Sequence, residues 1–248
     1  MSHSASMSDS ARPVLADRNI VVIGGASGIG RAVAEAARAQ GAAVTIAGHD
    51  LDRARAAAEA AGATARPVDL ADRTSLAALF EAVGTVDHLV VTAGPLIGSP
   101  AFAQLDLAAA RTAFGVKFWG QVEAAQAVLP HLAADGSITF TSGLLSRKVA
   151  VGSLVKTTMN AAIEALAKAL AKELAPVRVN VVSPGVTATD NWRGMAPADR
   201  EAFYAKVGAG LPVGRVGRAA EVAAAYLFAM GNGFVTGSVI DADGGGLL

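Results

Sequence analysis

Cysteine is absent from this 248-residue chain, which removes disulfides, thiolate metal sites and a cysteine nucleophile from consideration. Tyrosine and tryptophan are scarce, with two of each, so any chemistry that needs a phenol has only Tyr204 and Tyr226 to draw on. Neither sign of charge is in excess: 21 acidic residues balance 21 basic ones. No basic surplus exists to hold nucleic acid or an anionic membrane by charge alone. His3, His49, His88 and His131 are scattered without metal-ligand spacing, and no metal is expected. No apolar run approaches the length that spans a bilayer. The opening MSHSASMSDSAR is small and polar, with neither a signal-peptide core nor an arginine-rich amphipathic pattern. Residues 1–13 are expected to form a disordered tail, and 14–248 a single domain in the cytoplasm.

The chain is organised around NIVVIGGASGIGR, Asn19 to Arg31. Its first five residues form a short apolar run suited to a buried parallel strand, and RAVAEAARAQ after the glycines has helical spacing and high helix propensity. Between them, Gly24 lets the chain leave the strand tightly, Gly28 lets backbone approach a pyrophosphate, and Gly30 lets the helix lie against the sheet. The unpaired N–H groups and positive dipole end of that helix would then face the anion. The spacing is G-x-x-x-G-x-G rather than the commoner G-x-G-x-x-G, and a glycine-rich turn of this kind also occurs for purely structural reasons.

Short apolar runs and helical stretches alternate to the C-terminus. Ala42–Gly48 reads as a second strand, followed by a helix with Asp50 as N-cap and Gly62 as its stop. A third strand ends at ARPVDL, DRTSLAALFEAVG is helical, and Asp87–Gly94 is a strand entering a loop. A long helical region runs from about Asp106 to Leu132, Gly136–Gly143 is a fifth strand, and Ser153–Leu174 is a long Ala-rich helix. VRVNVVSPG is a sixth strand, Trp192 to Leu211 a helical insertion, and AAEVAAAYLFAM a helix before the last strand, GSVIDADGG. Strands alternating with helices imply a doubly wound parallel α/β sheet of about seven strands with helices on both faces.

From roughly Val14 to Gly246 the chain resembles the short-chain dehydrogenase/reductase family. GGASGIG fits its phosphate turn, with Ile23 where a threonine is usual; PVDL, VTAG, VRVNVVSPGVTAT, LPVGRVGRAAEVA and TGSVIDADGG follow in the family's order. The resemblance implies a single-domain Rossmann-type fold and dinucleotide contacts from Gly24, Ser27, Gly28, Ile29 and Gly30. It adds Asp69 and Leu70 at the adenine, Ala93 and Gly94 beside the ribose, and Pro184, Gly185, Val186 and Thr189 around the nicotinamide. Taken singly, Asp69 is as well explained as a helix cap, Pro184–Gly185 as a turn and Asp243 as a turn residue. At the end of the second strand, where an acid selects NAD(H), Gly48 is followed by His49, with Arg31 and Arg53 as further donors. That favours NADP(H) over NAD(H), weakly, because His49 is only partly charged at neutral pH.

The catalytic pattern departs from the family's serine, tyrosine and lysine, the lysine four residues after the tyrosine. Ser142 takes the serine's place, to orient the substrate oxygen, and Lys156 the lysine's, to hold the ribose. Four residues before Lys156 stands Gly152, and the interval from Ser142 is about three residues short. The family's asparagine, which holds a water linked to the lysine, is replaced by Lys117. Tyr226, in leucine- and phenylalanine-rich surroundings, reads as core packing, whereas Tyr204 lies in the segment that covers substrate in this family. Two lysines close together beneath the nicotinamide would depress each other's pKa, making Lys117 a usable acid; otherwise Lys117 fills a pocket or pairs with an acid. Arg147 and Lys148 either attract an anionic substrate or lie in a solvated loop.

Two functions remain open from the sequence. One is an atypical NAD(P)(H)-dependent oxidoreductase acting on a small carbonyl or alcohol. The other is a catalytically silent nucleotide-binding protein, a redox sensor or partner subunit. In the family the two long helices pair subunits, which implies a homodimer or homotetramer, with close approach through Ala124, Ala125, Ala161, Ala165 and Ala169.

Overall fold

The computed structural model describes residues 13–95 and 97–248; apart from Pro13, the expected N-terminal tail lies outside them. Nine strands and eight α-helices alternate along the described chain. In order they are β1 (Asn19–Ile23), α1 (Gly28–Ala39), β2 (Ala43–Gly48), α2 (Leu51–Ala61), β3 (Thr64–Pro67), α3 (Arg73–Val83) and β4 (Val86–Val91). Then come α4 (Leu107–Phe114), α5 (Gly120–Val128), β5 (Leu132–Thr141), α6 (Leu154–Glu173) and β6 (Arg178–Pro184). The chain closes with β7 (Thr187–Ala188), α7 (Pro197–Ala209), β8 (Gly217–Arg218), α8 (Ala219–Gly231) and β9 (Val239–Ala242). Seven strands make one sheet in the order β3-β2-β1-β4-β5-β6-β9, every pair parallel. β7 and β8 pair by themselves.

The two-residue period of β1 divides the core between the faces of the sheet. Val21 and Ile23 join one apolar cluster with Leu89, Phe140, Met159 and Ile163. Ile20 and Val22 join the other with Val33, Ile46, Val222 and Tyr226. Helix α1 buries Gly30, Val33, Ala34 and Ala37, the stripe that a 3.6-residue period turns toward a sheet. Asp50 caps α2 and Gly62 stops it in the left-handed region at φ 65°, as the sequence suggested. At the far end, the buried Arg178 guanidinium donates to the carbonyls of Ala229, Met230, Asn232 and Val235. It thereby satisfies acceptors at the end of α8 that have no helical partner.

Two elements differ from expectation. β5 begins at Leu132 rather than Gly136, because the turn before it pairs Leu132 with Val86 across an irregular register. The helical region after Asp106 is interrupted by a π-helical turn, Gly115–Trp119, of a kind often found at functional sites. The side chain of Gln121, fully buried, donates to the Lys117 carbonyl at 2.7 Å and accepts from Thr141 N at 3.2 Å. That bridge fixes Lys117 relative to the end of β5.

Candidate active site

The chain crosses from β3 to β4 and winds the other way, so the carboxyl ends of β1 and β4 diverge at the switch point where ligands bind such sheets. Gly24 leaves β1 at φ +89°, and a Cβ there would come within 2.5 Å of Ala93 N and 2.7 Å of Thr92 Oγ1. A Cβ at Gly30 would overlap both the Gly24 carbonyl oxygen and Thr92 Oγ1. Gly28 adopts φ +53° and faces Thr189, whose Cβ lies 3.4 Å from the place a Cβ of Gly28 would take. The structure therefore brings the first turn, the end of β4 and the segment after β6 together around one cleft.

Helix α1 starts differently from α2, α3 and α4. Aspartates cap α2, α3 and α4 through hydrogen bonds from the first-turn amides. Ser27 makes no such bond, and the first turn of α1 holds no acid. Its leading N–H groups carry no side-chain cap, and the helix dipole adds positive potential there. A diphosphate fits that cradle, which any side chain at Gly24 or Gly30 would fill. Beyond it, Asp69 accepts from Ala71 N at 2.9 Å, while Asp72 is the cap of α3. The alternative reading of Asp69 as that helix's cap is thereby replaced. Leu70 is buried and packs against Gly120. His49 is exposed at the end of β2, and Asp50 is occupied with capping. Arg31 pairs with Glu35 at 3.2 Å, leaving Arg53 and His49 as donors at that edge.

On the other side of the cleft the chemistry is carried by side chains. The stem of Lys117 runs over Gly94, where an added Cβ would lie 3.2 Å from Cδ. Its Nζ donates to Asn160 Oδ1 at 2.9 Å and to the Ser142 carbonyl at 3.3 Å. Burial, and next the charge of Lys156, push the Lys117 ammonium down from 10.5 to about 8. Lys156 donates to Ser99 Oγ at 2.8 Å, and burial lowers its pKa too. Among the described residues neither lysine forms an ion pair with a carboxylate. The alternative that Lys117 pairs with an acid is replaced by its bond to Asn160.

The remaining residues singled out from sequence make the following contacts. Ser142 is 3% exposed and donates its hydroxyl to Glu164 at 3.1 Å, so it does not present that hydroxyl to the cleft. Lys156 reaches the Ser99 loop. Gly152, at φ +77°, lies against the Ser99 carbonyl. Arg147 and Lys148 are neither free in solvent nor aimed at the cleft. Arg147 pairs with Asp241 and, at 3.5 Å, with Glu164, and Lys148 donates to the Gly246 carbonyl. Tyr226 is fully buried on the opposite face of the sheet and bonded to Thr141 Oγ1 at 2.6 Å; burial pushes its pKa up, and the bond to Thr141 offsets part of that rise. Tyr204 packs edge-on against Trp192 at 6.4 Å. Asp243 accepts from Gly245 N and Leu247 N, and acts as a turn residue. His88 is a core histidine on Ser137, held neutral by burial with its pKa down at about 4. Asn160, Ser99 and Glu164 were not singled out from sequence; an asparagine on the buried face of an alanine-rich helix was the available signal for the first.

The family described as enoyl-(acyl carrier protein) reductase matches residues 24–246. A short-chain dehydrogenase/reductase from Stachybotrys chlorohalonatus, ATR9, is 34% identical over 95% of this chain and 99% of its own. This chain belongs to the short-chain dehydrogenase/reductase family. Among solved structures, a small-chain dehydrogenase in complex with NADPH is 44% identical, with a TM-score of 0.83 over 93% of this chain and 99% of that one. The MalC reductase/Diels-Alderase of Malbranchea aurantiaca superposes at a TM-score of 0.90 with 27% identity, covering 95% and 98% of the two chains. The sheet order and the glycine turn of this family member are thus those expected. No helix among the described residues is long and apolar enough to cross a membrane.

Proposed function

We propose that this short-chain dehydrogenase/reductase is an atypical oxidoreductase that moves hydride between NADP(H) and a carbonyl or alcohol. The observation that carries the reading is the bare cradle at Gly24–Gly30, an uncapped helix start with no room for side chains. Bound there, the dinucleotide would supply or accept hydride at its nicotinamide ring. Gly24, Ser27, Gly28, Ile29 and Gly30 would hold its diphosphate, Asp69 and Leu70 its adenine, and Ala93 and Gly94 its ribose. Pro184, Gly185, Val186 and Thr189 would flank the nicotinamide. His49 and Arg53, with no free acid beside them, would favour a 2′-phosphate. The NADPH held by the 44% identical relative supports the same preference.

The site's atypical character rests on the contact between Lys117 and Asn160. In the family pattern the asparagine position on the earlier helix faces the lysine on the later one. Here Lys117 occupies the first and touches Asn160, so the two residue types have exchanged places. Lys156, one turn before Asn160, then stands where the tyrosine would be, and the stretch after Ser142 needs no deletion. In this reading Lys117, rather than Lys156, takes over the ribose-holding role.

A homodimer or homotetramer is part of the proposal. A cavity of about 710 Å³ lies between α4 and the start of α6, lined by Phe102, Ala109, Ala113, Val155 and Thr158 among others. Leu154 and Thr158, which also line it, lie on the face of the helix opposite Lys156 and Asn160. Exposed Phe102, Leu107, Val149, Val151 and Leu154 surround it as an apolar face that a second copy would cover. Ala161, Ala165 and Ala169 are exposed on α6, but Ala124 and Ala125 are buried in the protein's own core and contribute nothing to an interface.

The test is binding of NADPH and NADH by fluorescence, followed by stopped-flow mixing of the NADPH complex with ketones, quinones and imines. Tighter binding of NADPH and loss of its absorbance with one substrate class are expected. Binding without hydride loss across the panel would favour the silent nucleotide-binding alternative, and failure to bind either dinucleotide would remove both.

A further inference from the structure

Helix α6 turns two polar residues, one turn apart, toward the end of β5. Asn160 accepts from Lys117 Nζ directly, at 2.9 Å. Glu164, an acid only 8% exposed, reaches the same lysine by a longer route. Its Oε1 accepts from the hydroxyls of Ser142 at 3.1 Å and Ser146 at 2.6 Å. The Ser142 carbonyl in turn accepts from Lys117 Nζ at 3.3 Å. Both acceptors on the lysine are therefore held by one face of one helix.

The peptide that carries the Ser142 carbonyl runs into Gly143, a residue type with little backbone preference of its own. On its other side Ser142 N donates to the Val182 carbonyl at 3.0 Å, and the hydroxyl bond to Glu164 ties down the side chain. Arg147 completes the arrangement, with Nε 3.5 Å from Glu164 and a second pairing to Asp241. Resting on the reading of Lys117 as the residue that holds the ribose, we infer that Glu164 is a positioning residue for Lys117, acting through Ser142. A buried ion pair adds little stability over apolar packing; what this one adds is a fixed direction for the Ser142 carbonyl. With two of the three ammonium donors committed to Ser142 and Asn160, the third is left for a ribose hydroxyl.

The first readout needs no cofactor. Reductive methylation of the free protein, mapped by mass spectrometry, should reach Lys117 about threefold faster in Glu164→Ala, where a hydrogen bond that restrains the amine is lost. Lys156, held by Ser99, should react as in wild type. The second readout sets NADPH against adenosine 2′,5′-bisphosphate, which carries the adenine end of NADPH and no nicotinamide ribose. Glu164→Ala should weaken NADPH by about tenfold and leave the bisphosphate unchanged, whereas a merely structural loss would weaken both. Added to Lys117→Met, it should weaken NADPH no further, because the two act through one chain of contacts. Glu164→Gln keeps an oxygen for both hydroxyls and should restore most of the affinity. Should Glu164→Ala fail to fold, Ser142→Ala breaks the same link and should reproduce both effects, while Ser146→Ala, which leaves Ser142 on Glu164, should show neither. Unchanged methylation of Lys117, equal weakening of the two ligands, or full additivity with Lys117→Met would each overturn the inference. Failure of the wild type to bind NADPH, or full NADPH affinity in Lys117→Met, would instead remove the reading on which it rests. Methylation would still decide whether Glu164 places Lys117.

Discussion

The two walls of the cleft are built on opposite principles. At the β1–α1 turn the wall works by omission: Gly24 and Gly30 leave no side chain where backbone must close up, and Ser27 leaves the helix amides uncapped. Across the cleft, at the ends of β4 and β5 and the face of α6, the wall works by side chains. Lys117, Asn160, Lys156 and Ser99 are paired by hydrogen bonds. A backbone site tolerates almost no change at the positions that shape it. A side-chain site can exchange residue types while keeping its geometry, which is the exchange proposed above for Lys117 and Asn160.

The comparison can be broken most severely at Gly30. Gly30→Val would press its side chain into the Gly24 carbonyl, and we expect a loss of about 3 kcal/mol or more in urea unfolding, with NADPH affinity reduced beyond measurement. Retention of both would mean the cradle has slack that its geometry denies. On the other wall the sign should reverse. Lys117 carries a depressed pKa, so its charged form is penalised in the folded state at neutral pH. The penalty is full below about 8 and fades as pH rises toward the unfolded value of 10.5. Lys117→Met should therefore raise stability by about 1–3 kcal/mol at pH 7, with the gain gone above pH 10.5; thermal melts at the two pH values would show it. The smallest effect separates the helix starts. Asp72→Ala removes a cap from α3 and should cost about 1 kcal/mol, whereas Ser27→Ala, which breaks no capping bond, should lie within about 0.3 kcal/mol of wild type. An equal cost at both would erase the distinction between the capped helices and α1.

Most of the fold was legible because its signals are local. Apolar runs such as NIVVI, the Asp50 cap and the Gly62 stop each specify backbone without reference to distant residues. The tight glycine turn after β1 was legible for the same reason. The reactive side was not, because its meaning lies in contacts between α4–α5 and α6. Lys117 and Asn160 are 43 residues apart, and an alanine-rich helix offers no landmark for counting along it. Gly152 and Lys156 were accordingly read one turn out of register with the roles proposed here. The orientation of the Ser142 hydroxyl was equally hidden, since it depends on Glu164, which nothing in the spacing marks as its partner. The breadth of Arg147's role, tying the β5–α6 loop to Asp241 on the edge strand, also appears only in three dimensions.

Gly152 carries a practical consequence for anyone redesigning this enzyme. Its left-handed backbone and its contact with the Ser99 carbonyl make it the pin against which the loop around Ser99 rests. Grafting a phenol at that position would not restore an ordinary proton relay. It would lever Ser99 away and strand the Lys156 ammonium without its acceptor before any new chemistry could begin.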